Sequence, residues 1–132
     1  MIENIRTANL IIISNKKILL VRRSNNDESQ PGKWSIPGGT AETDETNNET
    51  LIREIKEEMN CEIQEFSKFK SYLVKGKNVV NATYFIGLIK GKITLNEELD
   101  EFKWFNLDNN LLNLDFAFNQ KDVIQDLLDF LE

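Results

Sequence analysis

Glu54, Glu57 and Glu58 stand at i, i+3 and i+4 in a 132-residue chain, so a helix would carry their carboxylates on one side. Three like charges there repel one another unless a cation neutralises them, and oxygen ligands at this density suit Mg²⁺ or Mn²⁺. The plainer reading of the same residues is a solvated acidic face supported by weak Glu/Lys pairs. Composition narrows the chemistry further. With no histidine and one cysteine, Cys61, the chain can build neither a Ser-His-Asp or Cys-His pair nor a His/Cys zinc site. Acid and base work must come from carboxylates, Lys, Arg, Tyr or hydroxyls, or from a hard cation held by oxygen. The 22 acidic and 16 basic residues leave a net charge of -6, which argues against charge-driven binding to a nucleic acid polymer or an anionic membrane. A polyanionic small molecule would need a cation as mediator.

The wider pattern runs Gly39, five residues, Glu45, seven residues, then Arg53-Glu54-Ile55-Lys56-Glu57-Glu58-Met59-Asn60-Cys61. It closely resembles the signature of the Nudix hydrolases (the MutT-like proteins), and Trp34-Ser35-Ile36-Pro37-Gly38-Gly39 before it extends the likeness. The resemblance implies an α/β/α sandwich of the α+β class, a mixed β-sheet flanked by helices. It implies that Glu54, Glu57 and Glu58 bind a divalent metal, with the Gly38 carbonyl as a further ligand and Arg53 and Glu45 bracing the helix. Two positions depart from the family pattern. Asn60 stands where glycine is usual, and asparagine is the next residue most tolerant of the left-handed turn a helix end needs there. Cys61 replaces an aliphatic residue and reads as a small core hydrophobe.

A second acidic run, Glu97-Glu98-Leu99-Asp100-Glu101, precedes Phe102-Lys103-Trp104. By the same resemblance Glu98, with Glu101 behind it, is expected to reach the metal site from a loop as ligand or base. The implied reaction is Mg²⁺-dependent hydrolysis of a nucleoside diphosphate linked to another moiety X, such as a (d)NTP, oxidised dGTP or ADP-ribose. Glu54 is the expected base and Glu98 the alternate, with Arg53 beside them. A non-catalytic nucleotide sensor on the same fold is the other reading, and it would predict loss of a box carboxylate. For substrate binding the candidates are Arg23 (with Arg22 beside it), Gly39 and Asn119. Asn119 also makes a good N-cap.

These residues need a scaffold, and hydropathy patterning supplies one. Asn4 to Ser14, around Leu10-Ile11-Ile12-Ile13, reads as a buried strand, and Asn15-Lys16 as a turn into a hairpin partner over Lys17 to Arg23. Ser24 to Lys33 is a polar loop. Trp34-Ser35-Ile36 is a short strand that Pro37 should end, followed by glycines that permit close backbone approach. Leu51, Ile52, Ile55 and Met59 make an apolar stripe on a helix from about Thr46 to Met59, capped by Asp44 or Thr46, with the glutamates nearly opposite. Glu62 to Val74 and Val79 to Lys90 form a second hairpin, Phe102 to Asn106 a short strand, and Val123 to Leu131 an amphipathic C-terminal helix.

No repeat or linker interrupts the chain, which reads as a single domain over 1–132, monomeric or homodimeric. The N-terminus has no signal-like pattern and no apolar run reaches the roughly 18 residues of a membrane span, so a cytoplasmic location is expected. The acidity is local: Glu42 to Glu65 holds nine acidic and two basic residues, a net of -7, and the remaining chain sums to +1.

Overall fold

Apolar residues on both faces of one central strand call for cover on both sides, and the computed structural model, which describes residues 2–132, provides it. The strands are β1 (Asn4–Ser14), β2 (Lys17–Arg23), β3 (Trp34–Ser35), β4 (Gly38–Thr40), β5 (Glu62–Lys75), β6 (Val79–Lys90) and β7 (Leu99–Asn106). The helices are α1 (Asn47–Met59) and α2 (Gln120–Leu131), with a 3₁₀ turn at Asn109–Asn113 that hydropathy did not signal. Asn15 and Lys16 both adopt positive φ, which gives the tight turn that joins β1 to β2.

The sheet is mixed. β1 runs parallel to β6 and antiparallel to β2, β6 pairs with β5, and β7 covers the far side of β2. On β1, Ala8, Leu10 and Ile12 pack with Leu51, Ile55, Met59 and Cys61 under α1. Ile11 faces the other way, with Ile18, Leu20, Ala82 and Tyr84, against Val123, Ile124 and Leu127 of α2. Helix, sheet and helix are therefore layered as the expected α/β/α sandwich. Among the described residues no helix is long and apolar enough to cross a membrane.

Two expectations need correction. Pro37 does not end strand pairing; it transfers it. β3 pairs with β2, the Pro37 carbonyl accepts the Leu10 N–H at 2.8 Å, and β4 then pairs with β1. β1 and β2 diverge here, and Gly38 and Gly39 lie where the sheet opens. The strand around Trp104 starts at Leu99, three residues early, so Asp100 and Glu101 belong to β7 rather than to a loop. Leu99 is buried and draws the strand back past the acidic pair.

Candidate active site

Thr46 fixes the start of α1. Its hydroxyl accepts the Glu49 N–H while the Glu49 carboxylate accepts the Thr46 N–H, a reciprocal capping box. Asn60 ends the helix in the left-handed conformation (φ 55°, ψ 33°). One turn and a half into the helix, Arg53 gathers the acidic residues around it. Its Nε donates to Glu45 Oε2 at 2.7 Å and its Nη2 to Glu45 Oε1 at 2.9 Å and to the Thr40 carbonyl at 3.0 Å. Nη1 donates to Glu54 Oε1 at 2.9 Å and to Glu57 Oε2 at 3.2 Å. The Arg53 bonds first, then those donated by the Glu42 N–H and the Thr50 hydroxyl, hold the Glu45 carboxyl down at about 2.

The three box glutamates do not share one solvated face. Glu57 is half exposed and touches Arg53 alone among charged partners. Glu58, expected nearly opposite the apolar stripe, is buried, because α1 lies close over β4 and the Gly38 N–H donates to Glu58 Oε1 at 3.1 Å. Desolvation, then the charge of Glu54, pushes the Glu58 carboxyl up to about 8, against a smaller lowering by the Gly38 N–H. Burial also raises Glu54, partly offset by Arg53. Glu54 lies against Gly39, where a Cβ would overlap its carboxyl group, so the space freed by this glycine is filled by the catalytic candidate and not left to substrate.

Glu98 joins them from the loop before β7. Thr94 N–H donates to the Met59 carbonyl and Asn96 N–H to the Glu58 carbonyl, each at 3.0 Å, which ties the loop to the end of α1. Asn96 Oδ1 then accepts the Glu98 N–H at 3.0 Å, and the Glu98 carbonyl accepts the Ser24 N–H at 2.9 Å. Glu98 is close enough for its charge to raise both Glu54 and Glu58. Glu101 does not line this cleft; it pairs with Arg22 Nε at 3.1 Å.

Glu54, Glu58 and Glu98 thus line one end of a cleft of about 720 Å³, within the usual range for small-molecule sites. The donor set fits a hard divalent cation: all oxygen, mutually repelling, and in part held protonated by burial. Among the described residues no three acidic side chains stand at the spacing of a closed metal shell, and one oxygen each of Glu54 and Glu58 accepts from Arg53 and from the Gly38 N–H. A depression of similar volume between β5 and α2 holds Lys68, Lys70, Asp126 and Phe130 but no such convergence of carboxylates.

The cleft continues over the face of the sheet that carries α2. Arg23 lines it, salt-bridged to Asp27 at 2.7 Å, and its buried Nε has no acceptor. Asn119 also lines it. This residue occupies the position before α2, but its side chain makes no capping bond, so the cap reading does not hold. Sequence reasoning missed Asn9, Phe118 and Gln120. The buried Asn9 amide donates to Thr7 Oγ1 at 3.1 Å, and Gln120 Oε1 accepts the Ile36 N–H at 2.8 Å, which fixes the start of α2 to the segment before Pro37. A lone polar residue inside an apolar strand, as at Asn9, was the available signal.

The raised Glu58 carboxyl has a consequence for stability. Folded Glu58 holds its proton to about pH 8 whereas the unfolded residue loses it near 4.5, so the stability this group contributes is complete below 4.5 and is lost as pH rises towards 8. In EDTA, Tm is expected to fall between about pH 5 and pH 8, and Glu58→Gln to flatten that decline. Parallel melting curves for the two proteins would contradict the buried state of Glu58.

Comparison with known proteins gives consistent matches. A family model described as "NUDIX domain" matches residues 4–127. The chain is 32% identical to an ADP-ribose pyrophosphatase of Methanocaldococcus jannaschii, over 89% of this chain and 69% of that one. It is 31% identical to the nucleoside triphosphatase NudI of Enterobacter sp. strain 638, over 86% of this chain and 94% of that one. Among solved structures, a MutT protein from Methanosarcina mazei Go1 superposes with a TM-score of 0.84 at 26% identity, covering 97% of this chain and 94% of the other.

Proposed function

Since the chain belongs to the NUDIX domain family, as a hydrolase acting on phosphoric anhydride bonds, we propose that it cleaves a nucleoside diphosphate linked to a moiety X at the Glu54, Glu58 and Glu98 end of the cleft. One observation carries this reading: three carboxylates, from α1 and the loop before β7, line a cleft of about 720 Å³, a volume suited to a nucleotide. Relatives named for ADP-ribose and for nucleoside triphosphates support a nucleotide substrate. The metal is a divalent cation, with Mg²⁺ proposed and Mn²⁺ as a substitute, held by Glu54, Glu57, Glu58, Glu98 and the Gly38 carbonyl.

When bound, the cation neutralises phosphoryl oxygens and lowers the pKa of water. The chain's own groups do the rest. Glu54 takes the proton of the attacking water, and its burial makes it a better base than an exposed carboxylate. Arg53 holds Glu54 Oε1 and keeps its carboxyl aimed from the helix. Arg23, on the wall of the cleft, is the candidate to meet a phosphate oxygen with its guanidinium. Glu98, carried on a braced loop, is the alternate base.

The test is a panel of (d)NTPs, oxidised dGTP, ADP-ribose, dinucleoside polyphosphates and nucleotide sugars with Mg²⁺, read by product analysis in ¹⁸O water. Turnover of at least one member, abolished by EDTA and with ¹⁸O in a phosphate product, is expected. No turnover of any member contradicts hydrolysis and favours the nucleotide sensor.

A further inference from the structure

Among the described residues that line the cleft, Arg23 alone carries positive charge, and it shares the cleft with Glu54, Glu58 and Glu98. Its charge already acts on Glu58, lowering that carboxyl against the larger effect of burial. A guanidinium on a flexible stem pairs readily with carboxylates, often through two parallel bonds. Left free, Arg23 would fold onto the three glutamates and occupy the place of a cation. It does not. Its side chain meets one hydrogen-bond acceptor among the described residues, Asp27 Oδ2 at 2.7 Å; its Nε meets none, and the guanidinium lies 5.1 Å from the centroid of the Phe118 ring.

Asp27 is not a lining residue of the cleft, and it is itself firmly held. Its Oδ1 accepts the Gln30 N–H at 2.8 Å, the Ser29 N–H at 2.9 Å and the Ser29 hydroxyl at 3.1 Å, and its own N–H donates to the Ser24 carbonyl at 3.0 Å. The Gln30 bond foremost, then those of Ser29 and the Arg23 charge, hold its carboxyl at about 2 against the opposing effect of burial. The anchor is therefore charged at neutral pH. Its two oxygens divide the work: Oδ1 folds the loop and Oδ2 holds Arg23. Open surface pairs contribute little, but here the two side chains are only 24% and 18% exposed. The same loop reaches the carboxylates, because the Ser24 N–H donates to the Glu98 carbonyl at 2.9 Å. One loop thus sets both Arg23 and Glu98.

We propose that Asp27 is a positioning residue: it tethers the Arg23 guanidinium on the cleft wall and keeps it off Glu54, Glu58 and Glu98, where it would compete with the divalent cation. The inference rests on the proposed metal site at the same carboxylates and adds what keeps that site open.

Asp27→Asn separates the tether from the loop. The amide oxygen still serves the Ser29 and Gln30 N–H groups, while an NH₂ group replaces the oxygen that holds Arg23. In EDTA, ¹H–¹⁵N spectra of this variant are expected to show the Gly38 N–H, the donor to Glu58, displaced from its wild-type position as Arg23 moves onto the carboxylates. In an Arg23→Gln background the same substitution is expected to leave that signal in place, since no guanidinium remains to move. Calorimetric titration of Mn²⁺ is expected to show Asp27→Asn binding about tenfold more weakly than wild type, the scale of losing a group that orients a metal site. Arg23→Gln with Asp27→Asn is expected to bind as tightly as Arg23→Gln alone, whereas a loop merely damaged by the substitution stays weak when Arg23 is gone. If the wild-type protein binds no Mn²⁺, the metal site fails while the EDTA spectra still decide the tether. A Gly38 signal that Asp27→Asn leaves unmoved or moves equally with and without Arg23, or an unchanged affinity where the wild-type protein binds Mn²⁺, overturns the proposal.

Discussion

Glu54→Gln is expected to lower kcat by about 10²–10⁴-fold, the usual scale of a lost general base, while the melting temperature holds or rises. The two outcomes have one cause. Glu54 is half-buried, its carboxyl raised by desolvation and by the charges of Glu57 and Glu98, and it in turn pushes Glu58 upward. Neutralising it relieves repulsion in the metal-free protein, and the amide oxygen that replaces the carboxylate still accepts from Arg53. The neutral amide no longer takes up a proton. Steady-state kinetics on the best substrate of the panel, with thermal melts in EDTA, check both halves. A kcat within tenfold of wild type would move the base to Glu98.

Gly38→Ala and Gly39→Ala are expected to fail in opposite ways, although the residues are neighbours. A Cβ on Gly38 would overlap the Ala8 carbonyl, the Asn9 Cα and the Asn9 side chain. Ala8 and Asn9 belong to the central strand, paired with β6 on one side and β4 on the other, so that backbone cannot move aside cheaply. Overpacking of this kind, at a φ that disfavours alanine, costs about 2–4 kcal/mol and lowers Tm by on the order of 10 °C. At Gly39 the clash is with the end of the Glu54 side chain, which can swing away. Gly39→Ala is therefore expected to keep most of its stability and lose most of its activity. Differential scanning calorimetry beside kcat measurements separates the two; matched stability losses would contradict the placement of Glu54 against Gly39.

Sequence spacing located α1 and the first hairpin better than it located the faces. The stripe at Leu51, Ile55 and Met59 set α1 against the sheet, and the paired turn residues Asn15-Lys16 set the first hairpin, because local periodicity and turn geometry decide both. The inward position of Glu58 was not legible, since a helical wheel gives an angle and not the height of the neighbouring backbone; β4 rises to meet Glu58 through the Gly38 N–H. The transfer of pairing at Pro37 was hidden for a related reason. Proline forbids one donor, and only the divergence of β1 and β2 provides a second partner for the strand to join. The cleft floor is assembled from Ile5, Val74 and Val80, far apart in the chain and ordinary in each strand. No local pattern announces a surface made by register across three strands. Asn119 looked like a cap, but the chain enters α2 through the left-handed Phe118, and the amide is left to the cleft.

The central claim is that Glu54 and Glu58 bind a divalent cation at the head of this cleft. Calorimetric titration of Mn²⁺ into the wild-type protein, Glu54→Gln and Glu58→Gln, repeated at pH 7 in buffers of different ionisation enthalpy, tests it most directly. Saturable binding by the wild-type protein is predicted, with release of about one proton because Glu58 is still protonated below about pH 8 and must ionise to bind. Each variant is predicted to bind at least about tenfold more weakly, and Glu58→Gln to release no proton. Wild-type affinity in both variants, or no saturable binding by the wild-type protein, would contradict the account.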